Sequence, residues 1–306
     1  MRPPEDMYAI HQMPTFTDAP VMIHAFTGYV DAGGAVRMMI DHILETCEHH
    51  LIATFEVDEV MDFRARRPIL SYSVDHFTGV DIPAIQLHEV VDAEGTRFLL
   101  LAGPEPDYQW MRFLQAVSGL SHQIGVRLSV AVSGIPWPAP HTRPLGITVH
   151  GSDPSLVQGF HSPVGDVDVP GHMGAMLEFH LAQEGFDSMG ITAQVPHYLS
   201  QFQYPQSAQT LLNSLSMITG LALSASGLDA AATKATGEIA EQLQGNDEFT
   251  TVVNALEHQY DQTHGATQVA PLVEPDQMPS GDELAAQFES FLRDLDAEEG
   301  PEGSKP

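Results

Sequence analysis

Short apolar runs alternate with longer amphipathic segments over the first two thirds of the chain. Each run has the length of one buried strand, and the runs are followed by glycine, proline or acidic residues that end a strand. The runs lie at residues 21–26, 51–57, 85–91, 97–101, 126–132, 145–150 and 189–195. Residues 85–91 and 97–101 flank the turn-like sequence Asp-Ala-Glu-Gly, which predicts a hairpin.

Apolar residues at helical spacing predict helices between these strands. One helix is expected over residues 35–48 and another from about Asp107, with Trp110 and Phe113 on its apolar face. Further helices are expected around Met173 and around Leu211. Strands separated by helices favour an α/β fold with a doubly wound, mostly parallel sheet and one antiparallel hairpin.

The composition changes at about Ser224, where Ala, Gln, Glu and Thr replace the strand-like runs. We therefore expect an α/β core domain over residues 1–223 and a small, acidic, helical extension with a flexible end over residues 224–306. Amphipathic helices are expected from Phe249 to Tyr260 and from Leu284 to Leu295. The extension is either a solvated appendage or a partner-binding element, since its apolar stripes need a surface to cover them.

Charge narrows the possible functions. Among 306 residues there are 12 Lys and Arg against 41 Asp and Glu, for a net charge of -29. Such a chain repels phosphate backbones and anionic lipids, so neither nucleic acid nor a membrane surface is an expected partner. No apolar run is long enough to span a bilayer, and the sequence MRPPEDMYAI lacks the features of a secretory signal, so we expect a cytoplasmic protein.

Polar clusters follow four of the predicted strands. In a parallel sheet, ligands meet the crevice outside the carboxyl ends of the strands, so these clusters are expected to share one rim. The first cluster contains Asp31 in a glycine-rich turn before a helix, and the second contains Asp58, Glu59, Arg64 and Arg67. The glycines either permit tight packing or expose a helix N-terminus to a phosphate, although no full nucleotide-binding motif is present. The charged residues form either a surface ion-pair network or a fork that binds a carboxylate.

The other two clusters contain histidines that directly follow prolines. His141 and Arg143 follow the strand at 126–132, and His197 and Tyr198 follow the strand at 189–195. Each imidazole either acts as a catalytic base or bonds structurally to loop carbonyls. No catalytic triad motif is visible, and no pair of histidines has metal-ligand spacing, so neither a metal nor another cofactor is expected.

Several of these segments resemble the bacterial branch of the proteasome assembly chaperone 2 family. The resemblance covers about residues 20–223. It rests on Asp-Glu-Val-Met-Asp-Phe-Arg-Ala-Arg-Arg-Pro at 58–68, Gly-Pro-Glu-Pro-Asp at 103–107, Gly-Ile-Pro at 134–136, Pro-His-Thr-Arg-Pro at 140–144, Val-Pro-His-Tyr-Leu at 195–199 and Tyr-Pro at 204–205. It implies a fold similar to purine nucleoside phosphorylases and related hydrolases.

Members of other branches of that family help α-subunits of the 20S proteasome to assemble, without catalysing a reaction. Some of them end in a hydrophobic residue, a tyrosine and one further residue, whereas this chain ends in Gly-Ser-Lys-Pro, so that docking mode is not carried over. We expect a non-enzymatic binding or assembly protein that forms a homo-oligomer and whose partner is a protein such as a proteasome subunit. The alternative is a small-molecule-binding protein, or a hydrolase- or phosphorylase-like enzyme, that uses the same crevice.

Overall fold

The computed structural model describes residues 2–14, 16, 20–160, 165–243 and 247–265. Within them, the strands are β1 (Tyr8–Ile10), β2 (Val21–Thr27), β3 (Glu48–Phe55), β4 (Ile69–Ser73), β5 (His76–Asp81), β6 (Gln86–Val91), β7 (Arg97–Pro104), β8 (Leu128–Trp137), β9 (Ile147–Gly151) and β10 (Asp187–Pro196). The α-helices are α1 (Ala35–Thr46), α2 (Val57–Val60), α3 (Trp110–Ile124), α4 (Met173–Gln183), α5 (Pro205–Thr219), α6 (Asp229–Leu243) and α7 (Asp247–Gly265).

Eight of these strands form one mixed sheet in the order β1-β3-β6-β7-β2-β8-β10-β9. The central strands β7, β2, β8 and β10 are parallel neighbours, and the outer strands pair antiparallel to them or to one another. Strand β3 is antiparallel to β6, and β6 is antiparallel to β7. Strand β3 therefore runs in the same direction as the four central strands. The predicted α/β class with a mostly parallel sheet is confirmed, and so is the hairpin, which is β6–β7.

Helices cover both faces of the sheet, because alternate residues of each buried strand face opposite sides. Ile23 of β2 faces the layer of α1, α5, α6 and α7, whereas Met22 and Phe26 face α3 and α4. Among the residues packed on the first face are Ile239 of α6 and Val253 and Leu256 of α7.

The expected division of the chain after residue 223 stays a prediction. The helix expected from Leu284 to Leu295 lies outside the described residues, as does the end of the chain that was expected to be flexible.

Strand β8 is longer than its sequence indicated. We expected a strand over residues 126–132, but pairing with β10 continues to the pair Trp137↔Pro196. The last pair between β2 and β8 is Ala25↔Val132. Pro136 lies beyond this pairing, so its missing N–H costs no hydrogen bond to β2. Gly134 lies beside the turn before α1, and a Cβ there would come within 3.1 Å of the Ala32 carbonyl oxygen. The turn before α1 therefore packs so closely against β8 at Gly134 that a side chain there would be crowded.

The packing of α3 yields a first prediction. Phe113 is fully buried, with its ring centroid 4.9 Å from that of Phe55 and 5.9 Å from that of Phe26. Phe113→Ala should lower the free energy of unfolding by about 3–5 kcal/mol, measured by chemical denaturation, because it leaves a cavity between the sheet and α3. Met111→Ala on the same helix is the control, since Met111 is 61% exposed. Equal losses in the two variants would contradict this packing.

Candidate functional site at the carboxyl edge of the sheet

Asp31 lies after β2 and caps helix α1. Its Oδ1 accepts hydrogen bonds from the backbone N–H of Val36 at 2.7 Å and of Arg37 at 3.4 Å. Gly33 and Gly34 precede the helix at φ values of 67° and 63°, which favour glycine. Burial raises the pKa of Asp31 to about 6, because the desolvation of its carboxylate outweighs the two hydrogen bonds. The N-terminus of α1 thus already holds a carboxyl group of the chain where a bound phosphate would otherwise lie.

His141 and His197 both contact the buried Tyr198. The backbone N–H of His141 donates to the Tyr198 hydroxyl at 2.8 Å, and its Nδ1 lies 2.8 Å from the same oxygen. Burial lowers the pKa of both histidines, so Nδ1 of a neutral His141 can accept a hydrogen bond that the Tyr198 hydroxyl donates. Burial also raises the pKa of Tyr198 to about 12. The ring of Tyr198 meets those of His141, His197 and Phe249 edge-on, with centroids 5.0–5.8 Å apart.

Arg143 links helix α7 to the loop that contains His141. Its guanidinium donates to both carboxylate oxygens of Asp261, at 2.8 and 2.7 Å, and one nitrogen lies 3.4 Å from Glu257. Thr142 also donates to Glu257, and the Tyr260 hydroxyl donates to the Pro144 carbonyl at 3.1 Å. The bond with Asp261 raises the pKa of Arg143 further. Arg143 therefore binds the carboxylate of Asp261 through both oxygens, which is the geometry in which an arginine also binds a carboxylate ligand.

The residues that follow β3 lie elsewhere on this edge. Glu59, in α2, forms ion pairs with Arg2 and Arg112, and the hydrogen bond from Arg112 lowers the pKa of Glu59. Asp58, Arg64 and Arg67 are exposed. Both arginines lie outside the cluster at residues 58–67, so the two interpretations offered for its charged residues stay predictions.

The candidate residues divide into two groups. Strands β3 and β10 point the same way but are five positions apart in the sheet, which is about 24 Å at about 4.8 Å for each strand. Asp31, His141, Arg143, His197 and Tyr198 lie around β2, β8 and β10, whereas Asp58, Glu59, Arg64 and Arg67 follow β3. The expected rim exists as one edge of the sheet, but its charged groups do not converge on one pocket.

Sequence reasoning overlooked residues that complete both groups. Asp107 accepts the backbone N–H of Asp62 at 2.6 Å and pairs with Arg66, so it fixes the loop after α2. For the contacts of Arg143, a usable sequence signal was the four-residue spacing of Glu257 and Asp261, which places two carboxylates on one helix face.

Within the described residues, no three His, Cys, Asp or Glu side chains lie close enough to hold a metal ion. In the same ranges, no helix has both the length and the apolar character needed to cross a membrane.

Comparison with known proteins identifies the family of this chain. The sequence profile of the PAC2 family matches residues 25–243. The chain belongs to the PAC2 family. This confirms the resemblance that the motifs at residues 58–68 and 195–199 indicated. No curated protein matches the sequence.

Solved structures similar to this PAC2 chain include proteins of unknown function. One from Mycobacterium tuberculosis is 39% identical with a TM-score of 0.81, covering 85% of this chain and 92% of its own. Another from Corynebacterium glutamicum is 35% identical with a TM-score of 0.81, covering 86% and 99%. The Mycobacterium tuberculosis proteasome-assembly chaperone homologue is 20% identical with a TM-score of 0.70, covering 76% and 99%, and shares the fold.

The half-buried carboxyl group of Asp31 gives a pH-dependent prediction. A pKa raised from 3.8 to about 6 in the folded state means that the contribution of Asp31 to stability is full below pH 4 and is lost as the pH rises through 6. Asn keeps a capping oxygen without the charge. Relative to Asp31→Asn, the wild type should therefore lose about 3 kcal/mol of unfolding free energy across that range, measured by denaturation at each pH.

A second substitution separates capping from charge at the same position. Asp31→Ala also removes the capping oxygen, so it should be less stable than Asp31→Asn at every pH, by about 0.5–2 kcal/mol. Parallel pH profiles for the wild type and Asp31→Asn would contradict a raised pKa of the Asp31 carboxyl group in the folded protein.

The attachment of α7 gives another prediction. Arg143→Gln removes the two-oxygen contact with Asp261, so backbone amides of α7 should exchange hydrogen faster while those of α1 stay unchanged. Hydrogen-exchange mass spectrometry of the full chain measures both. Arg64→Gln is the control, because Arg64 is an exposed arginine after α2. Unchanged exchange in α7 would show that Arg143 does not hold the helix.

Proposed function

We propose that this PAC2 protein is a non-enzymatic, protein-binding assembly protein. Its proposed partner class is proteasome subunits, after the proteasome-assembly chaperone homologue that shares its fold. An archaeal proteasome activator from Pyrococcus furiosus also has this fold, at 14% identity and a TM-score of 0.57. The proposal depends on what the carboxyl edge of the sheet offers to a partner.

The observation that carries the proposal is a set of exposed aromatic residues at this edge. Tyr29 follows β2, Tyr108 follows β7 and Phe202 follows β10, and they are 68%, 51% and 60% exposed. We call these three residues the aromatic rim. Large aromatic side chains contribute most of the binding energy in many protein interfaces, because each covers a large area at little cost in conformational entropy. Such a rim favours a protein surface as the ligand.

The side chains that could serve catalysis are engaged within the chain. Asp31 caps α1, His141 shares a hydrogen-bonded pair with Tyr198, and Arg143 is bound to Asp261. A catalytic base or an anion-binding arginine has to meet its substrate directly. These bonds support a binding role over the alternative, a hydrolase- or phosphorylase-like enzyme in the crevice.

Charge indicates the character of the partner surface. With a net charge of -29, the chain attracts a partner whose periphery is basic and repels an acidic one. Association is therefore expected to be faster at low salt, with the aromatic rim supplying the contacts that persist when salt screens the charges.

The test measures binding of the full chain to 20S proteasome α-subunits by biolayer interferometry. Replacing both Tyr29 and Phe202 by Ser should weaken binding at least about 30-fold, the effect of losing a hot spot. Phe179→Ser is the matched control, because Phe179 is 63% exposed but lies on α4. Its affinity should equal that of the wild type.

Two outcomes would overturn the proposal. One is the absence of binding to any α-subunit at low salt. The other is thermal stabilisation of the protein by an anionic metabolite that Asp31→Asn or Arg143→Gln abolishes, since this would identify a ligand site inside the crevice.

A further inference from the structure

Two neighbouring strands of the sheet bring an exposed tyrosine and a carboxylate together at the carboxyl edge. Strands β2 and β7 are parallel neighbours, and their last pair is Thr27↔Pro104. The backbone N–H of Glu105 donates to the Thr27 carbonyl at 2.9 Å, which continues this pairing by one residue. Tyr29 follows β2 and Glu105 follows β7, so the two residues leave adjacent strand ends.

Gly28 allows the Glu105 side chain to lie against the backbone that directly precedes Tyr29. A Cβ at Gly28 would lie 3.4 Å from the Glu105 Cβ and 3.5 Å from Glu105 Oε2, which is already van der Waals contact. The peptide that carries the Tyr29 ring therefore borders this carboxylate oxygen. Tyr29 itself is 68% exposed, so its ring is open to a partner.

Glu105 keeps one carboxylate oxygen for a partner. Its Oε1 accepts the backbone N–H of Met173, at the start of α4, at 2.7 Å. In the part of the chain that the structure describes, no Lys or Arg pairs with Glu105 and no group donates to its Oε2. His172 interacts electrostatically with Glu105, but burial lowers the pKa of this histidine, so it carries little charge at neutral pH. The chain therefore leaves the charge of Glu105 without a counterion.

Tyr108, the other tyrosine of the aromatic rim, lies beside carboxylates that are already engaged. Its hydroxyl donates to Asp62 at 3.0 Å, and Asp62 also accepts the backbone N–H of Arg64 at 2.9 Å. Asp107 forms an ion pair with Arg66. The aromatic rim therefore contains one tyrosine beside an uncompensated carboxylate and a second tyrosine that lacks one.

We propose that Tyr29 and Glu105 bind an arginine side chain of the protein partner, a proposal that rests on the binding function proposed for the aromatic rim. A guanidinium stacks on a tyrosine ring and donates an N–H to a carboxylate at the same time, whereas a lysine ammonium has no planar face to stack. The net charge of -29 adds a general attraction for a cation. A partner surface that presents an arginine thus fits this part of the rim better than an acidic or a purely apolar one.

The first test uses Nα-acetyl-arginine amide as the probe and the neutral citrulline analogue as its control. NMR of the full chain with isotope-labelled tyrosine rings measures binding, and Tyr29→Phe and Tyr108→Phe assign the two signals. At fixed ionic strength, the arginine amide should shift the Tyr29 signal and leave the Tyr108 signal unchanged, and the citrulline amide should shift neither. Glu105→Gln retains an oxygen for the Met173 N–H but removes the charge, so it should weaken this binding about threefold.

Binding of the full chain to 20S proteasome α-subunits separates this proposal from the proposed function. Glu105→Gln and Tyr29→Leu should each weaken that binding about threefold to tenfold, whereas Glu45→Gln, an exposed glutamate near the other end of α1, should leave it unchanged. Undiminished α-subunit binding in Glu105→Gln would overturn the arginine site while the proposed function stands. Absent α-subunit binding, together with a Tyr29 shift that Glu105→Gln weakens, would overturn the proteasome partner and support the site. A shift that the citrulline amide reproduces, or that Tyr108 shares equally, would overturn the site.

Discussion

The parallel arrangement of β7, β2, β8 and β10 is the constraint from which the other features follow. It brings four carboxyl strand ends to one edge, where backbone donors that have no ladder partner must find acceptors. Asp31 supplies one for the start of α1, and the Tyr198 hydroxyl supplies another for the loop at His141. Arg143 then binds α7 across that loop. The crevice that binds ligands in many α/β proteins is thus occupied by groups of the chain itself.

With the crevice occupied, the proposed protein partner has to be recognised at the outer surface. The aromatic rim extends along the edge of the parallel strands of a strongly acidic protein. It suits a partner whose periphery is basic.

The sequence was a good guide to elements with strong periodicity and a poor guide to side-chain partners. Apolar runs such as residues 21–26 and the spacing of α1 predicted strands and helices because buried elements repeat every two or 3.6 residues. The hairpin β4–β5 was overlooked although Leu70, Tyr72 and Val74 alternate with polar residues. The pairing of Arg143 with Asp261 was beyond prediction, because 118 positions separate them and only the fold brings them together. His141 likewise gave no sign that Tyr198 was its partner.

The occupied crevice is tested most directly by hydrogen exchange of two amides, Val36 and His141, in the full chain. Both donate to side-chain oxygens of the protein, so we expect both to exchange far more slowly than exposed loop amides. We also expect their rates to stay unchanged when a protein partner binds, while the segments around Tyr29 and Phe202 gain protection. Exchange of Val36 and His141 at the rate of an exposed loop would contradict the account, because it would show an open crevice.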